Sequence, residues 1–143
     1  MKVKGIDHVS INTKDIAASI RFYGEVLGFR RTETVPFDGF SIVYFEVPGG
    51  GRLELFDYGG KNPGAAREEN EVGLRHLAFS VENVDEAEKR LRSAAVTITL
   101  PATDLPSLGA RVLLFLDPNG VTLEFCERLA AATLAGSLAT RKR

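Results

Sequence analysis

Two histidines and two glutamates recur at matching places in this chain of 143 residues. His8 lies in "IDHVSIN" and His76 in "LRHLAFS", while Glu54 lies in "RLELF" and Glu124 in "TLEFC". The histidines, the chain's only two, are 68 residues apart and the glutamates 70, so one duplicated unit accounts for both offsets. Each motif reads as a strand, along which residues two apart share a face. His8, Ser10 and Asn12 then look one way, as do Arg52, Glu54, Phe56 and Tyr58; His76, Ala78 and Ser80 repeat the first set, and Thr122, Glu124 and Cys126 the second. If the first and last strands of a unit are neighbours, each unit presents one imidazole and one carboxylate together. Glu54 sits among Leu53, Leu55 and Phe56, and an ionised carboxylate out of water is very costly without a partner. Two imidazoles and two carboxylates suit one divalent transition metal per site: Ni, Co, Fe, Mn or Zn. The carboxylates neutralise the dication, and six-coordinate geometry leaves two positions open for water or substrate.

An ion of that kind can chelate two adjacent substrate oxygens, acidify the neighbouring C–H and stabilise an enediolate. A proton must leave one carbon and reach the next, which requires a base within hydrogen-bond reach. Glu124 is the expected base, with Glu54 as its counterpart. Tyr44, Phe56 and Tyr58 are expected to form an aromatic wall, Asn12 to line the same pocket, and Arg52 and Arg111 to meet an anionic substrate. Cys126 is expected to be buried filler without a redox role.

The elements that must position these groups also repeat. "TKDIAASIRFYGEVLGF" predicts a helix with Ile16, Ile20, Tyr23 and Leu27 on its buried face and Gly28 as its stop. "ENVDEAEKRLRSA" predicts another, with Asn83 and Glu86 at capping-box spacing and Val84, Ala87 and Leu91 inward. Alternating strands follow each helix: "FRRTETV", "FSIVYFEV" and "RLELFDY", then "VTITL", "RVLLFL" and "VTLEFCE". "PGGG" and "DPNG" are the matching hairpin turns. The expected fold is α+β: two tandem βαβββ modules, about 5–58 and 74–127, forming a cupped mixed sheet within a single domain, 1–127, with a connector at 59–73. Residues 128–143 are expected to form a C-terminal helix with a basic tail.

Composition bounds the partners. The chain is 44% hydrophobic and 26% charged, the balance of a soluble globular protein, and its net charge of −1 gives no electrostatic reason to expect nucleic acid. The run "VLLFL" is far too short to span a bilayer, and the start has no apolar stretch of signal-peptide length. With one cysteine, no intrachain disulfide is possible. A cytoplasmic protein acting on a small molecule is expected. Eight short strands leave sheet edges that need covering, which favours a homodimer with metal sites at the module interface.

The motifs "DHVSIN", "SIRFYGEVLGF", "RLELF", "GLRHLAFSV" and "DPNGVTLEF" resemble the vicinal oxygen chelate superfamily. That superfamily includes glyoxalase I, bleomycin-resistance proteins, methylmalonyl-CoA epimerase, fosfomycin-resistance enzymes and extradiol dioxygenases. The likeness covers about residues 5–127 and implies four ligand positions, matching His8, Glu54, His76 and Glu124. Occupancy by His, Glu, His and Glu resembles bacterial glyoxalase I and implies a metal-dependent lyase or isomerase. Asn12 and Tyr58 stand where glyoxalase I commonly carries an arginine and an asparagine that grip glutathione, which implies a different thiol adduct. The alternatives are an Fe(II)-dependent dioxygenase on a catechol-like ring, with Tyr44 and Tyr58 as its wall, and a metal-free resistance-type binding protein. The resemblance also implies dimers in which the first module of one chain faces the second of the other; in-chain pairing stays open beside it.

Overall fold

The computed structural model describes residues 1–64, 68 and 70–130. The elements are β1 (His8–Thr13), α1 (Ile16–Arg21), β2 (Arg30–Phe37), β3 (Phe40–Glu46), β4 (Arg52–Asp57), β5 (Leu77–Ser80), α2 (Val84–Ser93), β6 (Ile98–Leu105), β7 (Ala110–Leu116) and β8 (Thr122–Arg128). Strand, helix and three strands thus occur twice, giving the expected α+β architecture. The two sheets have the orders β1-β4-β3-β2 and β5-β8-β7-β6. In each, the first and last strands of the repeat are parallel neighbours and the other pairings are antiparallel. A parallel pair needs a long crossover, which the helix and the two intervening strands supply. The chain forms two compact units, and Pro118–Gly120, from the turn between β7 and β8, belong with the first. The connector, 59–73, falls between β4 and β5 in the element order. Most of the expected C-terminal helix and tail, 131–143, lies outside the described residues; β8 itself runs on to Arg128.

In the first unit, Asp15 caps α1 by accepting from the Ala18 N–H at 3.0 Å. The helix then widens into a π turn, Phe22–Val26, in which the Leu27 N–H donates to the Phe22 carbonyl at 2.9 Å. This changes the buried face. Ile16, Ile20 and Leu27 are only half-buried, while Ser19, Phe22 and Tyr23 go inside. The extra residue in the turn rotates two consecutive aromatics inward, a displacement that a 3.6-residue period does not anticipate. Tyr23 then meets Phe22 edge-on at 5.0 Å and stacks on Phe29 at 6.3 Å; Phe45, Leu53 and Leu55 of the same unit are also buried. Each such side chain contributes roughly 1.5–3 kcal/mol of burial. Gly28, at φ 79°, takes the left-handed conformation that ends the segment, as expected of a helix stop.

In the second unit, Asn83 caps α2 by accepting from the Glu86 N–H at 2.9 Å. Glu86 turns its own carboxylate to Lys89 at 2.8 Å instead of completing a capping box. Val84 and Leu91 are fully buried with Leu113, Phe115 and Leu123; Ala87 is half-buried. The β6–β7 register shifts between Leu100 and Thr103, beside Pro101, which has no N–H to give to a ladder. The Ala102 N–H released there donates to Glu88 at 2.8 Å. Among the described residues, no helix is long and apolar enough to cross a membrane.

Candidate metal centre

One candidate pair is built on β1 and β4. Their parallel register sets His8 beside Arg52, Ser10 beside Glu54 and Asn12 beside Phe56. His8 Nε2 stands 3.6 Å from Glu54 Oε2, and the other ring nitrogen, Nδ1, lies 2.8 Å from Asp7 Oδ2. An Nδ1–H donated to Asp7 leaves the Nε2 lone pair facing Glu54, the arrangement usual for an imidazole that binds a metal. That hydrogen bond is the main cause of an Asp7 pKa below the ordinary carboxylate value. Glu54 is buried at 6% exposure and accepts from Ser10 Oγ at 2.8 Å. On its other side, β3 places Tyr44 directly opposite. Burial first, then the Glu54 charge, raises the Tyr44 phenol above its usual pKa, so the ring is neutral at physiological pH. Arg52 lies over the Tyr44 ring, 4.9 Å from its centre, and pairs with Asp7 at 3.6 Å.

A second pair repeats the design on β5 and β8. His76 precedes β5 by one residue, and its Nε2 stands 3.2 Å from Glu124 Oε2. The flanking residues differ: the register sets Ala78 and Leu114 against Glu124. Cys126, on the same face, is a half-buried free thiol.

Each unit therefore holds one imidazole nitrogen facing one carboxylate oxygen. Two cis ligands about 2.1 Å from an ion stand roughly 3 Å apart, so both separations suit two donors on one ion. The donor chemistry, neutral nitrogen plus anionic oxygen, fits a divalent transition metal. Among the described residues no group of three or more His, Cys, Asp or Glu is placed to hold an ion.

The other expected site residues separate. Asn12 lies exposed on the face of Glu54. Phe56 and Tyr58 join Phe40 in a stack with ring centres 5.2 to 6.3 Å apart, and the half-exposed Phe37 extends it at 4.8 Å from Phe40. Tyr44 stands beside Glu54. Arg111 falls elsewhere. It pairs with Glu127 across the ladder, on the face opposite to Glu124, and its guanidinium binds Asp85 of α2 and Asp104 of β6 at 2.7–3.1 Å. Those two carboxylates raise its pKa strongly; this arginine braces α2 on the sheet. The repeat itself carried a signal of this, since Tyr44 and Arg111 are 67 apart where the glutamates are 70 apart. The sequence pattern by itself gives Asp7, Ser10, Phe37 and Phe40 no role in a site. A cleft of about 710 Å³ opens at the start of β1 and β4, but its charged lining is spent internally, Arg30 on Glu46 and Arg52 on Asp7.

The sequence profile of the Glyoxalase/Bleomycin resistance protein/Dioxygenase superfamily matches residues 5–125. The uncharacterized protein YaeR of Escherichia coli (strain K12) is 33% identical over 88% of this chain and 98% of its own. Lactoylglutathione lyase of Haemophilus influenzae is 26% identical over 91% of this chain and 97% of its own. A crystal structure of a glyoxylase/bleomycin resistance protein/dioxygenase domain from Frankia sp. EAN1pec superposes with a TM-score of 0.77 at 30% identity, covering 89% of this chain and 99% of that one.

Proposed function

Because this chain belongs to the Glyoxalase/Bleomycin resistance protein/Dioxygenase superfamily, we propose that it is a metal-dependent lyase or isomerase of the glyoxalase I type. Its substrate is a small molecule with two adjacent oxygens. His8 and His76 contribute Nε2, and Glu54 and Glu124 contribute carboxylate oxygens, to one divalent ion. When bound, that ion polarises the paired substrate oxygens and acidifies the neighbouring C–H. Glu124 removes the proton from one carbon and returns it to the next, a transfer that needs the carboxylate within hydrogen-bond distance of both. Asp7 holds the His8 tautomer, and the neutral Tyr44 phenol closes the Glu54 side of the pocket. The single observation behind this reading is the facing imidazole and carboxylate, repeated on parallel neighbouring strands of both units.

The ligand set is completed in a homodimer, where the first module of one protomer meets the second module of its partner. The open outer edges of β1 and β5 support such pairing. The free thiol of Cys126 accords with a cytoplasmic setting. Protein reconstituted with Ni, Co, Fe, Mn or Zn should retain about one ion per chain, and His76→Ala should abolish retention. Heterodimers of His8→Ala and Glu124→Ala chains should recover one intact site; none recovered in confirmed heterodimers refutes the exchange. A wild type that stays metal-free after every reconstitution is instead a binding protein.

The four-ring stack running outward from Phe56 favours one second reading, an Fe(II) oxygenase acting on a catechol-like ring. Activity by metal and by gas separates the two. The lyase turns over anaerobically with Ni or Co, and strict dependence on Fe(II) and oxygen overturns it.

A further inference from the structure

Three side chains outside the ligand set are joined to His8 in a row. His8 Nδ1 lies 2.8 Å from Asp7 Oδ2. The Asp7 side chain is 79% exposed, so water competes for that contact, and a second anchor is needed to keep the carboxylate on the ring. Arg52 supplies it. Directly opposite His8 in the β1–β4 register, it brings a guanidinium nitrogen 3.6 Å from the same Oδ2, and its backbone N–H donates to the Asp7 carbonyl at 3.2 Å. Arg52 is itself a long, exposed side chain that needs holding. The Tyr44 ring, its diagonal neighbour across β3 and β4, lies under the guanidinium with 4.9 Å to the ring centre. Tyr44, Arg52, Asp7 and His8 thus touch in sequence. The duplication does not carry this arrangement: Arg75, Thr122 and Leu114 stand about His76 and Glu124 where Asp7, Arg52 and Tyr44 stand about His8 and Glu54.

We infer that Arg52 is a positioning residue for His8: carried on the Tyr44 ring, it anchors Asp7, and Asp7 keeps the imidazole proton on Nδ1 so that Nε2 faces Glu54 with its lone pair. The inference rests on the metal reading above and extends it from the ligands to a residue that touches no ion. It also gives Arg52 an internal task in place of the anionic substrate expected from the sequence. A neutral imidazole carries its proton on either nitrogen, and only the nitrogen without it can bind a metal. A mixture of tautomers therefore lowers affinity by the fraction that has the wrong nitrogen free. The two links differ in size. Asp7 acts on the ring itself, and losing such a partner costs about 10- to 100-fold in metal affinity. Arg52 acts at one remove through an exposed pair, so its share is about 3- to 5-fold, the upper range of a surface ion pair. Arginine suits the place because one planar guanidinium can stack on a ring and still pair at its edge, which a lysine ammonium cannot do.

The test begins with the metal-free protein, so that it stands apart from the metal reading. Nitrogen-15 correlation spectra of histidine-labelled protein at about pH 8.5, where an ordinary imidazole is neutral, read which ring nitrogen carries the proton. The chain has only two histidines, so His8→Gln assigns both sets of signals. The parent should hold the His8 proton on Nδ1. Asp7→Ala should move it toward Nε2, and Arg52→Ala should move it the same way by a smaller step. Tyr44→Leu should match Arg52→Ala, while Tyr44→Phe, which keeps the ring, should match the parent. Unchanged His76 signals and circular dichroism show that each variant is folded. A parent with its proton on Nε2, or parent-like spectra in Arg52→Ala or Tyr44→Leu, overturns the inference. With zinc loaded, competition against a chelator should show Arg52→Ala about 3- to 5-fold weaker than the parent at low salt and equal to it at high salt, where the exposed pair is screened. Equal affinity at low salt counts against the anchor. The expected tautomers in a protein that retains no zinc refute the metal reading and leave the anchoring by Arg52 standing.

Discussion

Replacing Asn119 by alanine should cost this protein about 2–4 kcal/mol. Asn119 sits in the turn between β7 and β8 at 4% exposure, within the three-residue stretch that belongs with the first unit. Its Oδ1 accepts from the Lys14 N–H at 2.9 Å, and its Nδ2 donates to the fully buried Ser19 Oγ at 3.2 Å. The side chain therefore ties the end of β1, which carries His8 and Ser10, to α1. Each net hydrogen bond contributes about 1 kcal/mol, and each partner left unsatisfied out of water adds roughly 1–3 kcal/mol, moderated at the half-buried Lys14 amide. For a chain of this size, roughly 3–4 °C of melting temperature goes with each kcal/mol, so a drop of roughly 6–16 °C is expected. Calorimetry and urea unfolding followed by far-ultraviolet circular dichroism measure it. Ser19→Ala removes only the second bond and should cost about 1 kcal/mol, and the double variant should fall short of the sum by about the same amount. Asn119→Ala within about 0.5 kcal/mol of the parent, the range of an ordinary surface substitution, refutes this reasoning.

Other expectations follow from the same geometry. Arg111→Ala should lower the melting temperature, less so at high salt, and leave KM for an anionic substrate unchanged; a raised KM at unaltered stability restores the substrate role. The Ala102 N–H first, and then Arg92, hold the Glu88 pKa below its ordinary 4.5. A lowered folded-state pKa contributes stability that is present above the unfolded value and lost as pH falls through the folded one. Acid titration of the melting temperature from about pH 4.5 downward should thus be shallower in Glu88→Gln, which should also be less stable at neutral pH; superimposable titrations refute the assignment. Phe40→Ala should weaken binding of substrates with a planar apolar arm while leaving metal retention unchanged, measured by calorimetry with each ligand.

The duplication was legible in the sequence because it needs only repeated types at a repeated offset. Strand parity then put His8 with Asn12 and Glu54 with Phe56, because the pleat has a period of two whatever the strand pairs with. The cap of α2 and the stop at Gly28 follow from local chemistry too, since each involves residues within one turn of one another. The rest depended on register and packing, which are non-local. A one-residue slip in a hairpin exchanges the faces of a strand, and the β7–β8 register is what sends Arg111 to α2 rather than to Glu124. Pairing β1 with β4 and β5 with β8 is likewise what gives one glutamate a serine and the other an alanine. The π turn that buries Phe22 with Tyr23 is chosen by the core, where two aromatic rings outweigh the better local geometry of an α turn. Asn119 reads in sequence as an ordinary turn residue; only the close approach of Lys14 and Ser19, some hundred residues earlier in the chain, makes it a clasp. Residue types and spacing determined which groups repeat, and long-range strand pairing decided which side chains each of them faces.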